Sequence, residues 1–469
     1  MTTAAMTGYR AEIEAALASG WRARNLYATG GGRTVRVLLT APDGRNQLTA
    51  VDADRDGAVP SIVDLAPGLA WDEREAHDLH GVAFSGHEPL RPLIDHSAAL
   101  KAWTVAVHGH DPYQVAVGPI HAGVIESGHF RFHVVGDRIL HLDARLFYKH
   151  RGLEHAAAGL PLPDALPVVA RACAACSAAN GIAYATAVEE LLGLRTTVEL
   201  ARARTLLLEL ERTWNHLNDI AAICAGVGMA AGNAHFLGLT ERARRINAAV
   251  TGHRFLMGSV AVGHSHIACD PATVRSARQN LQEIEAAAEM GWRELSFNAS
   301  FQDRLGGVGV VDAPTAARLG VVGPAARATG IADDARSISS YPDYQDFEPA
   351  TVSSPAGDVQ ARMQQRMLEL RQTFLLLGQI LDAGPLNPAQ AVVDDSTPPI
   401  QIGVGLVESS RGATSCIVER NGDTVGRVRL RTSSYANWPA VAQAAVGNLL
   451  PDFPLINKSF EICYACCDR

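Results

Sequence analysis

Two cysteine pairs constrain this chain more than any other feature. One is Cys173-Ala174-Ala175-Cys176, and the other is Cys463-Tyr464-Ala465-Cys466 at the far end of the sequence. Each is Cys-x-x-Cys, a spacing that turns two thiolates of one tight turn or helix start toward a common centre. Four such thiolates make a soft ligand set suited to zinc, nickel or iron. On spacing alone a structural zinc site is favoured, although such zinc usually staples a small, loop-rich unit. Here a long helical stretch separates the pairs, and a metal joining two ends of a large domain fits a buried functional centre better. Cys467 adds a third thiol beside Cys466. Cys224, Cys269 and Cys416 stand alone and read as small buried apolar residues.

At 469 residues the chain exceeds one ordinary core, so two or three domains are expected. Apolar content of 47% and charged content of 19% describe a folded globular protein. The net charge is −8 and no Lys/Arg run occurs, which excludes nucleic acid as a partner on electrostatic grounds. No stretch approaches the roughly 18 apolar residues of a spanning helix. The N-terminus reads as an amphipathic helix and lacks the apolar core of a signal peptide. Eight cysteines, four of them in two pairs, point to metal use in a reduced, cytoplasmic compartment. Membrane association would have to come through partner subunits.

The expected fold class is α+β: a small N-terminal α/β domain fused to a large helical-bundle domain with peripheral β strands. Residues 1–100 form the first unit, 101–115 a connector and 116–469 the large domain. In the first unit, residues 34–39 and 48–51 read as strands around the turn-prone Pro42-Asp43-Gly44. The charged run Trp71–His80 reads as a short helix that Gly81 ends. Its acids and histidines could be hard-metal ligands, but no ligand spacing repeats, so a helix that docks a neighbour is the better reading. Strands are expected at 130–135 and 139–142. Just beyond the first cysteine pair Ser177 can cap a helix, whose dipole would favour thiolate. Periodic segments at 197–222, 241–255, 271–295 and 358–381 read as a bundle, a common place to build a metal site. The last part turns to strands at 400–406, 415–420 and 425–431, with Asn421-Gly422-Asp423 as a hairpin turn, and then a helix over 438–448. His264-Ser265-His266 could bind a metal but reads better as a polar loop.

Taken together, Arg171-x-Cys173-x-x-Cys176 with Tyr184 and Glu189, and Cys463-x-x-Cys466-Cys-Asp-Arg469, resemble the two cysteine motifs of [NiFe]-hydrogenase large subunits. The branch most resembled is membrane-associated and complex I-related, and includes the formate hydrogenlyase large subunit. Glu209-x-x-Arg212-x-x-Asn215-His216, Arg327-Ala328-Thr329-Gly330, Gly357-Asp358, Asp452-Phe453-Pro454 and Ser459-Phe460 carry the resemblance along the chain. The run Trp71–His87 resembles the signature of the small hydrophilic subunit of respiratory complex I, and the first unit its fused domain.

The resemblance implies that Cys173 and Cys463 are terminal nickel ligands, and that Cys176 and Cys466 bridge nickel to an iron carrying CO and cyanide. It implies that Glu126 passes protons from a cysteine thiolate, that Arg411 lies over the metals, and that Ser434 donates to a cyanide. It further implies a partner iron–sulfur small subunit with a [4Fe-4S] cluster, complex I-like membrane subunits, maturation factors, and peripheral attachment to the inner face of the cell membrane. The chain departs from the family pattern at Ala174, Asn180, Ser410 and Glu461-Ile462, which bear on turnover more than on metal binding. Arg469 stands where other branches have a histidine, which argues against a magnesium site there and places Arg469 to pair with Glu154. In many relatives an extension beyond this motif is cleaved after metal insertion.

The function expected is that of a hydrogenase catalytic subunit interconverting H2 with protons and electrons. One rival is a complex I-like NADH/quinone oxidoreductase-type subunit without nickel, whose relatives lack the cysteines. The other is a non-enzymatic assembly subunit with a four-cysteine zinc site.

Overall fold

The computed structural model describes residues 3–121, 126–268, 270–345, 348–383, 390–394 and 400–469. Cys269 lies outside the described residues. Helix α1 (Thr3–Ala18) packs Tyr9 and Ile13 on an antiparallel meander of β1 (Arg22–Thr29), β2 (Thr34–Thr40) and β3 (Asn46–Asp52). Side chains alternate across a strand. Leu26, Ala28, Val35, Val37 and Leu39 therefore face α1 and α2 (Ala70–His80), whereas Tyr27 and Leu38 face Ile417 on the other side. Both faces are buried. The sequence reading missed β1 for that reason: Arg24 and Asn25 lie buried, on Asp333 and Ser415, so no polar-out alternation marks the strand.

Gly81, at φ 70°, ends α2 as expected. Asp72 and Glu75 of α2 are buried against Arg429 and Arg431, so this helix docks a neighbour, and these two acids are engaged by guanidiniums. Beyond it, β4 (Tyr113–Val117), β5 (His129–Val135) and β6 (Arg138–Arg145) form a second antiparallel sheet with β4 on its exposed edge. A short helix, α3 (Leu153–Ala157), follows.

The helical layer contains α4 (Ser177–Leu192), α5 (Val198–Gly226), α6 (Ala230–Thr251), α7 (Pro271–Ser296) and α8 (Val359–Asp382). Thr197, Asp270 and Asp358 cap α5, α7 and α8 by accepting backbone N–H groups of Leu200, Thr273 and Ala361. Two expectations need correction. Helix α6 begins well before residue 241, because buried Phe236 and Leu239 extend its apolar face despite Gly232 and Gly238. Ser177 does not cap α4: Cys176 holds the capping position, and the Ser177 hydroxyl is buried without a hydrogen-bond partner.

A third antiparallel meander, β7 (Ile402–Ser409), β8 (Gly412–Asn421) and β9 (Thr424–Arg431), lies directly on α4. Gly403 and Gly405 permit this approach: a Cβ on either would sit 2.0 or 1.9 Å from the carbonyl oxygens of Ala187 and Ala183. The sheet is thus clamped between α4 and the N-terminal meander, with Arg411 at the β7–β8 turn. Helix α9 (Ser433–Ala445) starts earlier than expected, at a Thr432 cap, and is followed by α10 (Phe453–Phe460) and α11 (Tyr464–Asp468). One large apolar core joins α4–α8 and β7–β9. A second joins β5, β6, α9 and α10, and carries the chain end back to the start of α4.

Candidate metal centre

The first thiol pair sits in a single 3-10 turn (Ala174–Cys176) immediately before α4. Cys173 Sγ accepts the N–H of Ala175 at 3.2 Å, and Cys176 occupies the N-terminal cap of α4, where the helix dipole favours negative charge. The second pair follows α10. Glu461, in the left-handed conformation at φ 45°, reverses the chain so that Cys463 and Cys466 face back toward residue 173. The four Sγ atoms all lie within 4.8 Å of one another, and three of the four residues are buried. Four thiolates at about 2.3 Å from one ion in a tetrahedron stand about 3.8 Å apart, so the set would close on a single ion with each sulfur moving by less than about 1 Å. It is the one group of three or more His, Cys, Asp or Glu donors converging in this way among the described residues; His264 and His266 do not belong to such a group. Hydrogen bonds from Cys173, Cys176 and Cys466 hold the Cys463 thiol well below its usual range. The same sharing with Cys173 pushes Cys176 and Cys466 well above theirs.

Ser434, Glu126 and Arg411 lie against the segment that carries the second cysteine pair. Ser434, fully buried, accepts the N–H of Cys463 at 3.0 Å. Glu126 accepts the N–H of Ala465, between the two cysteines, and burial raises its pKa. Arg411 is buried at the β7–β8 turn; its Nε donates to the carbonyl of Glu461, Nη1 to Asn215 Oδ1 and Nη2 to Asp219 Oδ1 at 3.2 Å. Burial opposes its charge, but Cys463 and Asp219 hold its pKa well above the ordinary value. Asn180, on the first turn of α4, is fully buried with neither amide atom hydrogen-bonded. Arg469 donates to Glu154 at 2.9 Å, as its position in the sequence implied. Cys224, Cys416 and Cys467 are separately buried and lie outside the cage.

The sequence reading quoted Asn215 in a motif but gave neither it nor Glu211 and Asp219 a role. They recur every four residues on one face of α5. Glu211 accepts the N–H groups of Ala178 and Ala179 at 2.6 and 3.1 Å, capping the start of α4, and burial pushes its pKa up to about 8. Asn215 Nδ2 donates to the carbonyl of Ala175 at 2.8 Å while its Oδ1 receives Arg411. Asp219 joins Arg411 to Arg366. This polar stripe on an otherwise buried helix was visible in the sequence as a spacing, and it ties the first cysteine turn to Arg411. Behind it lies a buried ion network in which Arg327 pairs with Asp334, Glu369 and Glu408 at 2.8–3.0 Å. Charges so buried hold only in a fixed geometry, since removing one leaves its partner uncompensated.

Comparison with known proteins is consistent along the chain. The family described as respiratory-chain NADH dehydrogenase, 49 kDa subunit, matches residues 227–402 and 389–469, and the 30 kDa subunit family matches residues 30–105. Formate hydrogenlyase subunit 5 of Escherichia coli (strain K12) is 29% identical over 448 residues, covering 89% of this chain and 78% of that protein. Hydrogenase-4 component G of the same organism is 28% identical over 449 residues, covering 89% of this chain and 77% of that protein. Among solved structures, a chain of the membrane-bound sulfane sulfur reductase, an archaeal respiratory membrane complex, superposes with a TM-score of 0.69 at 27% identity. That match covers 76% of this chain and 99% of the other.

Proposed function

The chain belongs to the family of the 49 kDa subunit of respiratory-chain NADH dehydrogenase, in its complex I-related hydrogenase branch, and from that premise we propose that it is the catalytic subunit of a complex I-like hydrogenase whose four thiolates hold a nickel–iron centre. The observation that carries the reading is the convergence of Cys173, Cys176, Cys463 and Cys466 beneath Arg411 in a chain of this family. A subunit acting on quinone alone has no use for four converging thiols. A zinc staple has no use for a buried arginine and a half-buried carboxyl placed against them.

Cys173, Cys176, Cys463 and Cys466 would hold the nickel, and Cys176 and Cys466 would also serve the iron with its CO and cyanide. When bound, the centre supplies the redox and Lewis-acid chemistry that splits H2 heterolytically. The protein's own residues do the rest. Glu126, anchored on the N–H of Ala465, takes and passes the proton; a carboxyl whose pKa burial raises suits that relay. Arg411, fixed by Asn215, Asp219 and the Glu461 carbonyl, holds a guanidinium charge over the cage at no cost of reorganisation. Ser434 fixes the backbone of Cys463 and presents a hydroxyl at the cage edge.

Electrons must leave through a partner, because the other cysteines described are single and buried. A small subunit with a [4Fe-4S] cluster, complex I-like membrane subunits and maturation factors complete the assembly. No helix among the described residues is long and apolar enough to cross a membrane, which is consistent with peripheral attachment to the inner face of the membrane through those partners. The division into residues 1–100, a connector over 101–115 and a catalytic domain over 116–469 belongs to the same reading, supported by the separate apolar core of α1, β1–β3 and α2.

Elemental analysis and infrared spectroscopy of the complex purified with its partners test the proposal. About one nickel per chain is expected, together with bands from CO and cyanide on iron. Zinc in place of nickel, without those bands, would overturn it. A Cys466→Ala variant should lose hydrogen-dependent dye reduction.

A further inference from the structure

Helix α11, which carries Cys466, has five residues, and a helix so short has no stability of its own. The second thiol pair is therefore positioned by whatever grips residues 463–469. Within the large domain, Asp468 accepts the N–H groups of Phe147 and Lys149 at 2.8 and 2.9 Å, and Thr432 Oγ1 donates to the carbonyl of Cys466 at 3.0 Å. Arg469 is the further handle. It is 1% exposed and lies over the ring of Tyr435, and its guanidinium reaches three elements besides α11 at once. Nη1 donates to Glu154 at 2.9 Å and to the Leu430 carbonyl at 2.7 Å, Nε to the Cys467 carbonyl at 3.2 Å, and Nη2 to Glu75 at 2.6 Å. Glu75 belongs to α2 of the N-terminal unit, far from Arg469 in sequence.

The same carboxylates seat α2. Arg429 spans Glu75 and Asp72, and Arg431 donates to Asp72 at 2.9 Å. Three buried guanidiniums (Arg429, Arg431, Arg469), with Arg427 reaching Glu154 at 3.4 Å, thus share three carboxylates (Asp72, Glu75, Glu154), and two of those carboxylates come from α2. Undocking α2 would remove two of the three carboxylates, leaving Arg429 and Arg469 to Glu154 and Arg431 without an ion-pair partner among the described residues, which is disfavoured. Docking of α2 and seating of the cysteine-bearing tail are therefore one linked equilibrium, and linkage is reciprocal.

We propose that α2 of the N-terminal unit is a positioning element of the metal centre: Glu75 holds Arg469, and through it the turn that carries Cys463 and Cys466. The role rests on the reading that those cysteines are metal ligands. Arginine suits this position because its planar fork donates to Glu154 and Glu75 from separate nitrogens, whereas a lysine ammonium is a single point of charge.

The test uses the full chain in its complex, prepared without metal. Cobalt(II) serves as the probe, through its thiolate charge-transfer absorption, and hydrogen exchange is followed on residues 463–469. In Glu75→Gln, release of cobalt(II) to a chelator should be faster by on the order of tenfold or more, and the tail amides should lose protection. Arg469→Lys, which breaks the same contact from the other side, should reproduce both effects. Glu73→Gln is the comparator. Glu73 is equally buried on α2 but serves Ser61, the Ile62 N–H and His87, not the tail, so this variant should leave cobalt release and tail protection unchanged. Normal cobalt uptake with unchanged release and protection in Glu75→Gln would overturn the clasp alone. Equal effects in Glu73→Gln would overturn it too, reducing it to general support from the N-terminal unit. Failure of the unsubstituted protein to take up cobalt would remove the metal-centre reading, and the positioning role with it.

Discussion

Glu211→Gln separates two opposed forces on a carboxyl that caps the first cysteine turn. Glu211 is 1% exposed and has no ion-pair partner among the described residues; its two oxygens accept the N–H groups of Ala178 and Ala179. Those hydrogen bonds and the more distant Arg411 favour the carboxylate, but burial outweighs them and pushes the pKa up to about 8. The folded protein therefore keeps a proton that the unfolded chain, with an ordinary carboxylate pKa near 4.5, has already lost. Stability contributed by this group is fully present below the ordinary carboxylate range and is lost as pH rises from there through about 8. By pH 7 the loss is on the order of 3 kcal/mol, at 1.36 kcal/mol per pKa unit. A glutamine is neutral at every pH and keeps one acceptor, so it forfeits one hydrogen bond worth about 1 kcal/mol. The variant should accordingly be slightly less stable than the parent near pH 5 and more stable, by about 2 kcal/mol, at pH 7 to 8. Unfolding of the complex, followed by denaturant titration or hydrogen exchange across that range, reads the difference directly. A gap between variant and parent that stays constant with pH would refute the reasoning, because it would mean that the helix N-terminus and Arg411 keep Glu211 ionised.

Glu126→Gln should preserve the acceptor for the Ala465 N–H, and with it the fold and metal content, while lowering hydrogen-dependent turnover by roughly 10²–10⁴-fold; unchanged turnover would remove Glu126 from the proton route. Gly405→Ala forces a Cβ to within 1.9 Å of the Ala183 carbonyl and should destabilise the protein by about 1–3 kcal/mol, measured as a fall in thermal midpoint. Gly238→Ala, on the exposed face of α6 with nothing within 4 Å of the new methyl, should instead be neutral or stabilise slightly.

Much of the architecture was legible because it obeys local rules. Strands β2 and β3, the hairpin at Gly422, and α5, α7 and α8 follow from alternation, turn residues and helical period within each segment. The misses have tertiary causes. Strand β1 buries Arg24 and Asn25 against another part of the chain, so its pattern reads as polar. Helix α6 is carried through Gly232 and Gly238 by the bundle it packs on, and at α4 the cap falls to Cys176, leaving the Ser177 hydroxyl unpaired. At the centre, the cysteines, Glu126, Arg411 and Ser434 could be named from motifs. The stripe Glu211, Asn215 and Asp219 was passed over because a four-residue polar spacing on a long helix is ordinarily a solvated face, and only burial gives it another meaning.

What the sequence determines by itself is chemistry in short windows: two turns that each present a pair of soft thiolates, the helices and strands around them, and a charge balance that leaves nucleic acid out. Which of those windows meet is decided by tertiary structure. Glu75 and Arg469 lie far apart in the chain, and no periodicity links them; they meet at 2.6 Å because two sheets and α4 stack in one order and leave three guanidiniums buried whose carboxylate partners, among the described residues, are those of α2 and Glu154. The four thiols converge for the same reason: the cysteine turns are local, and the distance between them is set by the cores that return the end of the chain to the start of α4.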